Sequence, residues 1–78
     1  MDRLHVKSSR IQFVGYDRHK KEMEVQLRDG NYYLFDEVPA NFYIELMVSP
    51  SIGNYFFNNI KETFPIREHR QGKFTSKV

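Results

Sequence analysis

Cysteine is absent from this 78-residue chain, which excludes a disulfide framework and any thiolate metal site. The absence fits a reducing compartment or indifference to redox. No apolar run approaches the roughly 20 residues that cross a bilayer, and the first residues lack the apolar core of a secretory signal. A cytoplasmic protein without membrane contact is expected. Glycine is sparse, and Gly15, Gly30 and Gly53 stand alone, so no glycine-rich phosphate loop is expected. His5, His19 and His69 fall near the two ends and in a turn, without HxH or HxxxH spacing; no metal site and no cofactor are expected. Ser8-Ser9 lacks a nucleophile elbow. Glu22/Glu24 and Asp36/Glu37 read as solvated surface charges and not as an acid–base pair. The expectation is a protein that is not an enzyme and has no small-molecule substrate.

What the chain does have is aromatic area and an uneven charge. A single domain of this size buries about 60–65% of its unfolded surface. Seven Phe and five Tyr therefore carry much of the burial. The net charge is +2. Arg3, Lys7 and Arg10 stand against Asp2 at one end, and Arg67, Arg70, Lys73 and Lys77 against Glu68 at the other. The body between them holds Arg18, Lys20, Lys21, Arg28 and Lys61 against eight acidic residues. Two basic ends thus flank an acidic body, a distribution that marks either solvated tails or arms for an anionic partner.

Three strand-like runs precede two helix-like ones. The run 10–16 places Ile11 and Phe13 on one face and Gln12, Val14 and Tyr16 on the other. A polar turn follows at 17–20. The run 22–28 alternates, with Met23, Val25 and Leu27 on one face. Asp29-Gly30 signals a hairpin, and Tyr32 to Phe35 form the third strand. Pro39 suits the opening turn of a helix running to about Val48. Ser49-Pro50-Ser51 breaks it and starts a second, in which Ile52, Phe56 and Ile60 recur every four residues until Pro65. Gly53 near its start points to close packing there. The expected fold is α+β: a three-stranded antiparallel meander followed by two helices packed on one face. Polar tails, 1–9 and 67–78, are expected to flank a domain spanning 10–66.

The hairpin register decides which aromatics are core. A two-residue loop puts Tyr32 and Leu34 with Val25 and Leu27, whereas a three-residue loop with Gly30 left-handed puts Tyr33 opposite Val25 and Phe35 opposite Met23. Periodicity alone leaves both open.

Five blocks, in order, resemble the KTSC domain: Val6-x-Ser8-Ser9-x-Ile11; Gly15-Tyr16-Asp17; Val25-x-Leu27-x-x-Gly30-x-x-Tyr33-x-Phe35-x-x-Val38-Pro39; Ser51-x-Gly53-x-Tyr55-Phe56; and Ile60. That domain is found at the C-terminus of some lysyl-tRNA synthetases and as small stand-alone bacterial or phage proteins. The family is marked by a central Tyr-x-Tyr, whose second tyrosine is here Phe35. Its polar residue between the two aromatics favours the three-residue loop, with Tyr33 and Phe35 inward. The synthetase association implies RNA as a partner.

Two functional expectations follow. The first is weak, tRNA-like RNA binding through Arg18, Lys20 and Lys21 in the turn and Arg67, Arg70, Lys73 and Lys77 in the arm, with Tyr16 and Tyr32 at the edge. Glu22, Glu24 and Asp36 on the open sheet face oppose phosphates, so that face itself is not expected to stack bases. The second is a protein-interaction module, for example a phage protein acting on a host factor, using Val14, Tyr16, Tyr32 and Leu34 on the open face.

Overall fold

A computed structural model describes residues 2–71. Five strands form one antiparallel sheet in sequence order: β1 (Asp2–His5), β2 (Ile11–Asp17), β3 (Glu22–Leu27), β4 (Asn31–Phe35) and β5 (Ile66–Gln71). Between β4 and β5 the chain forms α1 (Ala40–Val48), α2 (Ile52–Tyr55) and a π-helical segment (Phe56–Ile60) that continues α2. The class is α+β as expected, but the three-stranded meander is wrong by two strands. β1 lies wholly, and β5 from Arg67 onward, in stretches read as tails. Every residue of β1 and β5 is exposed, so neither carries the apolar alternation that betrays a half-buried strand. They pair through backbone hydrogen bonds and present charged side chains, the usual protection of a sheet edge.

The β3–β4 hairpin adopts the three-residue register. Tyr33 lies opposite Val25 and Phe35 opposite Met23, with Gly30 at φ 102° and its N–H donating to Leu27 O at 3.2 Å. Tyr33 and Phe35 are therefore core. Phe56 packs against both rings, with centroids 6.3 and 5.8 Å away.

β2 departs from strict alternation. Ile11 pairs with Leu27 but Phe13 with Gln26, so Gln12 is the extra residue of a bulge and every later side chain changes face. Ile11 and Val14 both enter the core, fully buried, and Phe13 turns to the open face instead. The expected placement of Val14 and Tyr16 on the open face is thereby overturned.

Pro39 precedes α1 in an extended conformation, and its carbonyl accepts from Phe42 N–H at 3.0 Å. Ser51 caps α2, its side chain accepting from Asn54 N–H at 3.4 Å. The helical layer lies on the Met23/Val25 face through Leu46, Phe56 and Ile60. Gly53 is buried, but a Cβ there meets Arg10 Cδ at 3.5 Å and Ser8 Oγ at 3.6 Å, ordinary contacts. No close approach requires this glycine.

Candidate functional site

The register sets the open face in two rows. One is His5, Phe13, Gln26, Tyr32 and Arg70, and the other is Arg3, Gly15, Glu24, Leu34 and Glu68. In the second row Gly15 separates Arg3 from Glu24 and has no side chain to intervene. The Arg3 guanidinium thus reaches across β2 to Glu24, Nε to Oε2 at 2.8 Å and Nη2 to Oε1 at 3.2 Å. A Cβ at Gly15 would lie 2.6 Å from Glu24 Oε2, so the glycine makes the room that this ion pair occupies. The Tyr32 hydroxyl donates to Glu24 Oε1 at 2.6 Å.

Glu24 is only 5% exposed. Burial pushes its carboxyl up, but the hydrogen bonds from Arg3 and Tyr32, with the Arg3 charge, outweigh burial and hold it below the usual carboxylate range. Tyr32 is pushed up to about 12 by burial and by its hydrogen bond to Glu24. The Arg70 guanidinium covers the Tyr32 ring at 4.3 Å while its Nε pairs with Glu68 at 2.7 Å. Arg67, the extra residue where β5 slips against β4, bridges Glu22 at 2.9 Å and Asp36 at 2.8 Å. The open face is therefore laced by ion pairs: Arg3, Arg67 and Arg70 are each matched to carboxylates.

The β2–β3 turn differs. Asp17 Oδ1 accepts from His19 N–H at 3.0 Å and Lys20 N–H at 3.1 Å, and these bonds hold the Asp17 carboxyl low. Lys21 closes the turn at φ 55°. Arg18, Lys20 and Lys21 are exposed, and none forms a salt bridge within the described residues.

The sequence-assigned residues do not form one surface. Arg67 sits at the turn end of the sheet, paired. Arg70 lies three residues further along β5, roughly 10 Å away, and Lys73 and Lys77 lie outside the described residues. Tyr32 is buried under Arg70. Tyr16 projects to the opposite face, its hydroxyl donating to Val38 O at 2.6 Å and its ring stacked on Tyr43 at 4.9 Å. Val14 is in the core, and Leu34 is half-buried between Glu24 and Glu68. The patch Val14, Tyr16, Tyr32 and Leu34 is thus not assembled.

Sequence reasoning missed Arg3 as a partner for Glu24, because β1 carries no strand signal. It also missed a second cluster, in which the blocks Val6 to Ile11 and Ser51 to Phe56 come together. Lys7, Ser8, Ser9 and Arg10 face Ser51 and Asn54 across a pocket of about 290 Å³. The recurrence of both blocks in the family resemblance was the available signal. Among the described residues no three His, Asp or Glu converge as metal ligands. His69 stacks on Tyr33 at 4.4 Å, and His5 meets Phe13 edge-on at 6.0 Å.

The chain matches the KTSC domain model over residues 7–64. An uncharacterised protein of Stutzerimonas stutzeri (strain A1501) is 30% identical over 56 residues, 72% of this chain and 79% of that one. The crystal structure of a KTSC domain protein from Yersinia pestis superposes with a TM-score of 0.79 at 32% identity, covering 92% of this chain and 97% of that chain. With the family model covering residues 7–64 and a KTSC domain structure superposing along most of the chain, this chain belongs to the KTSC domain family.

Proposed function

We propose that the chain is a non-enzymatic accessory module that binds RNA weakly through the β2–β3 turn. The observation that carries this reading is the turn itself. It presents Arg18, Lys20 and Lys21 outward without salt bridges within the described residues, on a loop pinned by Asp17. Phosphate contacts release counterions and need cations not already neutralised. On the open face Arg3, Arg67 and Arg70 are already paired, so their contribution is small. The family's presence on some lysyl-tRNA synthetases supports the same class of partner. Titration with a tRNA at low ionic strength tests the reading. Arg18→Ala/Lys20→Ala/Lys21→Ala is expected to weaken binding at least about tenfold, because each lost phosphate contact removes a charge-assisted interaction. Unchanged affinity in that variant contradicts the proposal.

A second reading is a protein-binding module, and one observation favours it at a place other than the one the sequence suggested. Tyr16, Tyr43, Ala40 and Ile44 line an apolar depression of about 310 Å³ beside Arg18, with Ile44 59% exposed. A partner inserting an apolar side chain there should be captured by the wild-type chain and lost by Ile44→Asp. Capture that survives this substitution removes the reading.

A further inference from the structure

We infer that the pocket between the β1–β2 connection and the start of α2 is a binding site for a phosphate group. It lies at the Ile11–Leu27 end of the sheet, opposite the Asp17–Lys21 turn, so it is separate from the surface proposed above and does not depend on it. Among the described residues two cations line it, Lys7 and Arg10, and no carboxylate does. Neither cation forms a salt bridge within the described residues, whereas each arginine of the open face is matched.

Among the described residues Arg10 is held by ring stacking and not by a side-chain hydrogen bond. Its guanidinium lies 3.9 Å over the Phe57 ring, and stacking engages the face of the group while the N–H fork stays available. Two hydroxyls on the pocket wall are similarly poised. Ser8 Oγ accepts from Arg10 N–H at 3.2 Å and from Ile11 N–H at 3.1 Å. Ser51 Oγ accepts from Asn54 N–H at 3.4 Å. With their oxygens serving as acceptors, the hydroxyl hydrogens of both are left to donate inward. Ser9 and the Asn54 side chain complete the lining.

The lining thus carries an ammonium, an arginine whose guanidinium lies over Phe57, and hydroxyl donors, with no carboxylate among the described residues that line it. That donor set suits a compact oxyanion with several acceptor oxygens, which is the chemistry of phosphate. The volume, at the low end for ligand pockets, holds a phosphate group with room for part of what it is attached to. The rest of a nucleotide or RNA end would lie outside, towards Arg28. That side chain lines the adjoining depression with Arg10, Phe57 and the carboxylate of Asp29, and its Nε donates to Ser8 O at 2.8 Å.

Amide chemical shifts of the full chain, titrated at constant ionic strength, test the site. Inorganic phosphate at millimolar concentration should saturably shift residues 7–10 and 51–54. Adenosine should leave them unmoved. Adenosine 5′-monophosphate binding more tightly than phosphate assigns the site to nucleotide or RNA ends, and equal binding assigns it to the free oxyanion. Lys7→Ala, which removes a side chain with no intramolecular partner among the described residues, should weaken binding about tenfold, the loss of one charge-assisted contact. Arg18→Ala/Lys20→Ala/Lys21→Ala should retain it, so failure here and failure of the RNA reading are distinguishable. No saturable shift, or identical titrations for wild type and Lys7→Ala, overturns the inference.

Discussion

Gly15 and Gly53 are both buried, yet substitution should act in opposite directions. At Gly15 a methyl group would stand 2.6 Å from Glu24 Oε2 and 2.9 Å from its Cγ, so the Arg3–Glu24–Tyr32 arrangement must open to admit it. Gly15→Ala is expected to destabilise by about 1–3 kcal/mol, the range for overpacking a well-filled site. At Gly53 the added methyl makes ordinary contacts, and alanine lowers the backbone entropy lost on helix formation. Gly53→Ala should stabilise by about 0.5–1 kcal/mol. Urea unfolding of the two variants checks both signs. Glu24 gives the stability of the fold a pH dependence. Its folded carboxyl titrates below its unfolded value of 4.5, so its contribution is present above that pH and is lost as pH falls through the folded value. Stability should therefore decline on the acid side more steeply in wild type than in Glu24→Gln. Parallel declines in a pH series of denaturant midpoints would show that Glu24 is not held by Arg3 and Tyr32.

At the level of elements, what the sequence disclosed follows from where side chains are buried. Met23, Val25 and Leu27 alternate because the helical layer covers only one face of β3, and Ile52, Phe56 and Ile60 recur because α2 and the π-helical segment lie against that face. Tyr33 and Phe35 were legible as core once the family pattern chose between two registers. Val14 was misplaced because the bulge at Gln12 adds one residue to β2, and periodicity has no means of registering an insertion that only the partner strand reveals. β1 and β5 were illegible for a different reason: their ordering energy is backbone pairing and ion pairing, and Asp-Arg-Leu-His and Ile-Arg-Glu-His-Arg-Gln read as polar chain. The candidate site inherits that gap. The turn cations were visible as a charge cluster. The pairing that removes Arg67 and Arg70 from the set of unmatched cations was not, because it needs β5 in the sheet.

Across the described residues, eight of the ten lysines and arginines fall into three groups, Arg28 and Lys61 standing apart. Arg3, Arg67 and Arg70 serve the sheet face, Lys7 and Arg10 converge on a pocket at one end, and Arg18, Lys20 and Lys21 project from the turn at the other. No helix is long and apolar enough to cross a membrane among the described residues. In the proposed function the turn, and not the arginine-bearing sheet face, provides the phosphate contacts for RNA. The most direct measurement is the salt dependence of tRNA affinity, compared between the wild-type chain and Arg18→Ala/Lys20→Ala/Lys21→Ala. Each phosphate contact contributes about −0.7 to −0.9 to the slope of log K against log salt. The triple substitution is expected to flatten the slope by about 2, while Arg3→Ala and Arg70→Ala leave it nearly unchanged. An unaltered slope in the triple variant, with the loss appearing in Arg3→Ala or Arg70→Ala, would contradict it.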